Sequence, residues 1–197
     1  MAIVALYGSP RRRGNTARLL EAAVAGARKT GAEVREFVLR DLKISPCLEI
    51  YACERGGEGV CAIKDDFQQV AEALLGAGAT MLASPIFFYA VSAQVKALMD
   101  RCQSLWVKKY RIEKKNSGRL DNPKPGLFLS VGATRGENLF AGAELSVKYF
   151  FDTFNTRLWR TLAYRGLDRA DEILRHPEYL DEARRAGAEL GEMLKAC

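Results

Sequence analysis

Long apolar segments are missing from this sequence, and prolines are few. The apolar stretch Ile3–Tyr7 ends at Gly8, and no basic leader precedes it. Because this stretch is too short for a signal peptide or a membrane span, we expect a cytoplasmic protein that does not enter a membrane. With 6 prolines, 48% hydrophobic residues and 27% charged residues, the composition excludes a disordered or fibrous chain. The length predicts one domain, residues 1–197, that buries its own core.

Histidine is scarce as well, and the number of cysteines is odd. The one histidine, His176, precedes Pro177 at a predicted helix start, where a solvated or capping role is expected. Five cysteines cannot all pair within one chain. In a reducing compartment we expect them to be thiols, metal ligands or catalytic groups.

Five short apolar runs alternate with segments of helical periodicity. This pattern predicts an α/β domain with a parallel sheet covered on both faces. The ligand loops of such a fold follow the carboxyl ends of the strands, and here they begin at Gly8, Asp41, Pro85 and Gly132. The predicted strands are Ile3–Tyr7, a run over 34–38, Ala79–Ser84, Pro125–Val131 and Leu158–Tyr164.

The loop at residues 8–16 has the composition of an anion site. Gly8 allows a tight exit from the strand, and the side chains of Ser9, Asn15 and Thr16 surround a helix start predicted at Thr16. The spacing does not match a Walker A loop, a G-x-G-x-x-G fingerprint or the C-x5-R loop of a low-molecular-weight phosphatase. A terminal phosphomonoester, as in FMN, is the common ligand that remains.

Two sequence segments resemble the NADPH-dependent FMN reductase and iron–sulfur flavoprotein group of the flavodoxin-like superfamily. They are GSPRRRGNTARLL at 8–20 and SPIFFYAVSAQVKALMDRC at 84–102. The resemblance implies a three-layer α/β/α sandwich with strand order 2-1-3-4-5. It implies that the FMN phosphate is held by Ser9, Arg11, Asn15 and Thr16. It implies that the ribityl chain and the isoalloxazine ring are contacted by Pro85, Ile86, Phe87 and Phe88.

The residues themselves are compatible with this ligand. The run Ile86–Tyr89 offers an apolar, partly aromatic wall to a flavin ring, and a cover for the edge of the core is the less favoured interpretation. The loop Gly132, Ala133, Thr134 and Arg135 offers small residues for close approach of the ring and donors for its pyrimidine edge. Arg135 either stabilises the negative charge that develops near N1 and O2 on reduction or is a plain surface arginine.

Three cysteines lie on the long segment 39–64 that follows the second strand. Cys47, Cys53 and Cys61 match three positions of the C-x-x-C-x-x-C…C run that the resemblance implies for a four-iron cluster, and Ile50 occupies the remaining one. Several outcomes stay open: free thiols or a redox-active pair, a three-cysteine cluster with Glu49 or water as the fourth ligand, and zinc. The topology is expected to bring this loop to the flavin face.

The segment 106–124 carries seven basic residues against two acidic ones and accounts for most of the net charge of +6. A charge run of this kind is usually a solvated surface or a subunit contact. Binding of an acidic partner or of the NADPH phosphate is a second interpretation. Trp106 and Tyr110 among the basic residues leave nucleic acid as a third, less favoured one.

The sequence predicts an enzyme in which NAD(P)H reduces bound FMN, which then passes electrons to a free flavin, a quinone or another acceptor. No catalytic side chain is expected, because hydride transfer between nicotinamide and flavin is the chemistry of the cofactors. The alternative is an electron carrier that shuttles between redox proteins; flavodoxins are acidic and this chain is basic, which favours the enzyme. A flavin-binding regulator would rest on the basic segment alone. The resemblance also implies a homodimer or homotetramer whose second subunit completes the flavin pocket.

Overall fold

Strands and helices alternate along the chain, and the computed structural model describes residues 1–56, 58–115 and 120–195. Short 3-10 turns lie at Leu39–Asp41 and Glu172–Arg175, and a π-helix spans Val107–Ile112. The remaining elements are β1 (Ile3–Tyr7), α1 (Asn15–Lys29), β2 (Val34–Val38), α2 (Ala52–Arg55), α3 (Phe67–Gly76), β3 (Ala79–Pro85), α4 (Ala93–Arg101), α5 (Gln103–Trp106), β4 (Lys124–Gly132), α6 (Ala141–Asp152), β5 (Thr156–Arg165) and α7 (Pro177–Lys195).

The five strands form one parallel sheet in the order β2-β1-β3-β4-β5. The predicted flavodoxin-like α/β/α sandwich and its strand order are therefore confirmed. All five residues of β1 are buried, as expected for a central strand covered on both faces. The order reverses between β1 and β3, so the crevice at their carboxyl ends is the switch point at which such folds bind ligands.

Two apolar layers flank the sheet. Helices α1 and α7 cover one face, where Leu19, Leu20 and Leu190 have no exposed surface. Helices α3, α4 and α6 cover the other face around the fully buried rings of Phe128 and Phe151. Burial of apolar surface in these two layers is the main force that holds the helices on the sheet.

The contact between α1 and α7 is unusually close. A Cβ atom on Gly26 would lie 1.9 Å from the carbonyl oxygen of Arg184, and one on Gly187 would lie 1.9 Å from that of Ala23. Only glycine permits the two backbones to approach this closely. Helix α7 therefore fixes the position of α1, whose first turn lies at the switch point.

The basic segment is helical at its start. Helices α4 and α5 lead into it, and it continues as the π-helix as far as Ile112. Val107 and Lys109 are buried there, and Lys109 donates to the carbonyl oxygen of Asp152, whereas Lys108, Arg111, Lys114 and Lys115 are exposed. Residues 116–119 of the segment, and Gly57 of the cysteine loop, lie outside the described residues. Among the residues that are described, no helix has both the length and the apolar character needed to cross a bilayer.

Candidate functional site

A pocket opens at the carboxyl ends of the strands, over the switch point between β1 and β3. Four loops that are distant in sequence meet there: those after β1, β3, β4 and β5. The pocket is lined by Ser9, Pro10, Arg11, Gly14, Asn15, Thr16, Pro85, Ile86, Phe87, Val131, Ala133, Leu167 and Asp168.

The first turn of α1 forms the polar end of this pocket. The helix begins after Gly14, no side chain caps it, and its first turn contains no acidic residue. The amide groups of Asn15, Thr16 and Ala17 have no hydrogen-bond acceptor within the described part of the chain, and all three residues are buried. A buried helix end without a cap is unfavourable unless a ligand supplies the acceptors. The helix dipole makes an anion the favoured ligand.

Two of the expected phosphate ligands are engaged by the segment after β5. Arg11 donates from Nη1 to the carbonyl oxygen of Asp168 at 3.0 Å. Asn15 donates from Nδ2 to the carbonyl oxygen of Arg169 at 2.9 Å and accepts from the amide of Ile173 at 3.2 Å. The side-chain amide of Asn15 thus positions this segment, and the group that Asn15 presents to the pocket is its backbone N–H. Ser9 and Thr16 lie in the pocket wall, and Ser9 Oγ accepts from the amide of Arg11 at 3.1 Å.

The segment after β5 is the part of the pocket that sequence reasoning missed. Leu167 and Asp168 line the pocket. Glu172 holds the turn from Asp168 to Glu172 by accepting from the amides of Asp168 at 2.7 Å and Arg169 at 2.9 Å. These bonds keep the pKa of Glu172 below its ordinary value. The signal was available, because the carboxyl end of every parallel strand lies at the same edge of the sheet.

The aromatic loop after β3 is a tight turn of strained backbone. Phe87 and Ala90 exchange two backbone hydrogen bonds of 3.0 Å, and between them Phe88 and Tyr89 have φ angles of 50° and 61°. Bulky residues rarely adopt this left-handed region, and such strain concentrates at ligand sites. Phe87 lines the pocket, whereas Phe88 points away from it and is fully exposed.

The loop after β4 contributes less of its length to the pocket than expected. Gly132 is buried at the end of the strand and Ala133 lines the pocket, whereas Thr134 and Arg135 are exposed beside it. The guanidinium of Arg135 lies against Gly166, where an added Cβ would be 3.0 Å from Nη2. Arg135 is not among the residues that line the pocket, and its guanidinium has no ion-pair partner among the described residues.

The cysteine loop lines a cavity separate from this pocket. Cys47 and Cys53 line a cavity of about 620 Å³ together with Met99, Asp100 and Gln103, at the end of α4 that is remote from the switch point. No residue lines both cavities. Burial and the neighbouring Cys61 and Cys47 raise the pKa of the Cys53 thiol.

A buried ion pair explains the position of the loop. The Arg101 guanidinium donates to Asp65 at 2.7 Å, to the carbonyl oxygen of Ser45 at 3.0 Å and to that of Ile63 at 3.1 Å. Burial by itself would raise the pKa of Asp65, but these bonds to Arg101 and to backbone amides hold it below its ordinary value. Arg101 thereby ties both ends of the loop to the last turn of α4.

The residues of this loop do not fit a four-cysteine cluster. Ile50, which occupies the second ligand position of the motif, has no metal-binding atom and is exposed. The part of the chain that the structure describes contains no group of three histidine, cysteine or acidic side chains arranged to hold a metal ion. No reaction step is therefore assigned to iron or sulfide in this chain.

Comparison with known proteins agrees with this geometry. The family model described as NADPH-dependent FMN reductase matches residues 1–151. An iron–sulfur flavoprotein of Methanocaldococcus jannaschii is 32% identical over 154 residues, which cover 78% of this chain and 72% of that protein. One from Archaeoglobus fulgidus is 35% identical over 146 residues, which cover 74% of this chain and 67% of that protein.

A solved structure shows the same fold. An NAD(P)H:quinone oxidoreductase from Methanothermobacter marburgensis superposes with a TM-score of 0.72 at 22% identity, covering 96% of this chain and 98% of that one. The switch-point pocket, the sheet order and the extent of the family match point to one assignment. The chain belongs to the NADPH-dependent FMN reductase family.

Proposed function

We propose that this protein is an oxidoreductase that binds FMN in the switch-point pocket, accepts reducing equivalents from NAD(P)H and passes them to a free flavin, a quinone or another acceptor. The observation that carries the proposal is the buried, uncapped start of α1 facing a pocket with an aromatic wall. A phosphate monoester joined to a flat ring satisfies both ends of such a pocket.

The phosphate end would be held mainly by backbone amides. Those of Asn15, Thr16 and Ala17 converge at the start of α1, and the hydroxyls of Thr16 and Ser9 lie beside them. The side chain of Arg11 adds positive charge while it remains bonded to the Asp168 carbonyl. Fixed amide dipoles need no reorganisation when the ligand arrives, which favours tight binding of a dianion.

The ring end would lie along Ile86, Phe87 and Ala133. Ala133 lines the pocket at the end of β4, whereas Gly132 packs against Leu139, and the exposed Arg135 two residues after Ala133 would stabilise negative charge on the reduced ring. When bound, FMN supplies the hydride and electron transfer itself. The chain supplies orientation, exclusion of water from the buried face and electrostatic stabilisation, and no side chain acts as acid, base or nucleophile.

The fully exposed Phe88 also bears on assembly. An exposed aromatic ring on a strained turn beside the pocket is suited to contact with a second subunit. The proposal therefore includes a homodimer or homotetramer, and light scattering coupled to size-exclusion chromatography measures it. A monomeric wild-type protein would contradict this part of the proposal without affecting the cofactor assignment.

Spectroscopy and steady-state kinetics test the cofactor assignment. The purified protein is expected to show flavin absorption bands, or to quench the fluorescence of added FMN far more strongly than that of riboflavin, which lacks the phosphate. NADH and NADPH oxidation is then followed with FMN and with a quinone as acceptors. A protein that binds neither flavin would contradict the proposal, and bound FMN that neither nicotinamide reduces would support the electron-carrier alternative.

The metal content is determined in the same preparation. Iron, acid-labile sulfide and zinc are assayed in protein purified without oxygen. Because three thiols fall short of the four that a four-iron cluster needs, we expect less than stoichiometric cluster. Four irons and four sulfides per chain would show that a ligand other than cysteine completes the site.

A further inference from the structure

Like the cysteine-lined cavity, a second cavity of about 590 Å³ lies outside the switch-point pocket, between the π-helix, the last turns of α6 and the start of β5. It shares no residue with the switch-point pocket. Thr156 begins β5 and lines this cavity, whereas Arg165 ends β5 near the pocket. Strands rise by about 3.3 Å per residue, so the two sites are about 30 Å apart. The volume of the second cavity falls within the range of small-molecule sites.

Aromatic rings form the walls of this second cavity. Trp106 and Tyr110 come from the last residue of α5 and from the π-helix, with ring centroids 5.6 Å apart and planes tilted by 51°. Tyr149 faces them from α6, and its side chain is 64% exposed. Tilted and separated rings of this kind can enclose the faces and the edge of a flat ligand.

Hydrogen bonds from the π-helix to Asp152 hold the ring of Tyr110 in place. Tyr110 donates its hydroxyl to Asp152, and Lys109 donates to the carbonyl oxygen of Asp152 at 2.5 Å and to its carboxylate at 3.3 Å. The carboxylate of Asp152, the acidic group among the cavity-lining residues, is therefore already neutralised from within the chain.

Two cations of the cavity lining have no such partner. Lys148 and Arg157 line the cavity, and neither forms an ion pair with any described residue. The cavity is therefore positively charged. Thr156 also belongs to the cavity lining, where its methyl group faces Gly126 and its hydroxyl is buried without a hydrogen-bond partner among the described residues.

We propose that this second cavity binds a planar aromatic anion, such as an aromatic carboxylate. The ring lies among Trp106, Tyr110 and Tyr149, and the anionic oxygens contact Lys148 and Arg157. Charge complementarity selects the anion, and the aromatic walls select the flat ring. The site is separate from the flavin pocket, so its occupation requires neither FMN nor a nicotinamide.

Binding of 2-naphthoate tests the proposal, with 2-naphthamide as a neutral ligand of nearly the same shape. The titration follows Trp106 fluorescence in full-length protein carrying Trp159→Phe, which leaves one tryptophan. Calorimetry with the wild-type protein measures the same binding directly. Saturable binding of naphthoate, at least about tenfold tighter than that of the amide, is expected because charge-assisted hydrogen bonds are the stronger kind.

Matched charge variants locate the bound anion. Arg157→Gln should weaken naphthoate binding about tenfold. Arg35→Gln removes the same charge from β2, the opposite edge strand, and should leave the affinity unchanged. Tyr149→Ala, at an exposed helix position, should also weaken binding. A lack of saturable binding, equal affinity for the amide, or equal losses in the two arginine variants would overturn the proposal.

Competition with FMN separates the two sites. Excess naphthoate is expected to leave the flavin spectrum and the FMN affinity unchanged. Displacement of FMN by naphthoate would place the aromatic anion in the switch-point pocket and would overturn the proposal. A protein that binds naphthoate but not FMN would support this second site while contradicting the proposed function.

Discussion

Helices α1 and α4 begin at the same edge of the sheet, after the neighbouring strands β1 and β3, yet their first turns are completed differently. At α4, Ser92 Oγ accepts from the amide of Val95 at 3.4 Å and donates to the carbonyl oxygen of Gly8 at 2.6 Å. At α1, Gly14 stands at the cap position and offers no side chain. One helix end is satisfied by the chain, and the other leaves its amides to an external acceptor.

At these two neighbouring helix ends, the difference separates the buried end that lines the pocket from the end that does not. A missing N-cap usually lowers stability by about 1 kcal/mol, and a buried one is harder to tolerate. The chain accepts this at α1, where the pocket lies, and avoids it at α4, one strand away. Each prediction below either converts one helix end into the other or removes part of the contrast.

The largest effect is expected from Gly14→Asp, which gives α1 an acidic cap of its own. Gly14 has φ −74° and ψ 164°, a conformation open to any residue, although the new Cβ would lie 2.9 Å from Ser9 Oγ. The carboxylate would occupy the amides and repel the phosphate. FMN affinity should fall on the order of a hundredfold or more, while the free energy of unfolding without flavin changes by less than about 1 kcal/mol.

Gly14→Asn is the matched control for this variant. It adds a side chain of the same shape that can cap the helix without negative charge, so it should weaken FMN binding less than aspartate does. Fluorescence titration gives the affinities, and urea unfolding gives the stabilities. Equal FMN affinity in Gly14→Asp and the wild type would show that the phosphate does not bind at α1.

The next largest effect is expected from Ser92→Ala, which makes α4 resemble α1. The change removes the cap and leaves the buried Gly8 carbonyl without its donor. The free energy of unfolding should fall by about 2 kcal/mol, as measured by urea denaturation. Ser146→Ala, which removes an exposed bond to the Gly142 carbonyl, is the matched control and should have little effect. Undiminished stability of Ser92→Ala would mean that α4 does not depend on its cap.

A smaller effect is expected from Thr16→Val at the start of α1. Valine keeps the shape of the buried side chain and removes the hydroxyl that faces the pocket. FMN affinity should fall about tenfold with little change in stability, because a charge-assisted hydrogen bond is lost in the complex alone. Thr30→Val at the other end of α1 serves as the control, since its hydroxyl bonds the Ala27 carbonyl far from the pocket. A similar decrease of FMN affinity in both variants would contradict a phosphate contact at Thr16.

The smallest effect is expected from Glu172→Gln, which weakens the turn that closes the pocket after β5. FMN affinity should fall about threefold, because the turn is exposed and its bonds are individually weak. The pKa of Glu172 is lowered in the folded protein, so its contribution is present at neutral pH and is lost as the pH falls through that lowered value. The affinity ratio of wild type to variant should therefore approach one in acid. A ratio that does not change with pH would contradict this role.

The sheet and the loops of β1 and β3 were predictable because their signals are local. Apolar runs that end in Gly8 or Pro85 mark the strand ends, and parallel strands must direct those ends to one edge. The strand order was predicted from the resemblance of the segments 8–20 and 84–102 to the flavodoxin-like family. The start of α1 could be placed to within one residue, at Thr16 in the sequence and Asn15 in the structure.

The rest depended on contacts between residues far apart in sequence. Asn15 and Ile173 are separated by 158 positions, and Arg101 and Ser45 by 56, and no local pattern reveals that these pairs bond. The sequence therefore left the β5 loop out of the site and did not reveal the separate cavity that Cys47 and Cys53 line. The outward direction of Phe88 arises from left-handed backbone, which residue type would have argued against.

The close packing of α1 against α7 affects when the protein can acquire its cofactor. Helix α7 follows every other described element in the chain, so ribosomes synthesise it last of these. Until α7 emerges, α1 lacks the surface of α7 that packs against Gly26, and the phosphate-binding end of the pocket is not complete in the nascent chain. We therefore expect flavin incorporation to follow translation of α7, so that chains arrested before it would accumulate without bound flavin.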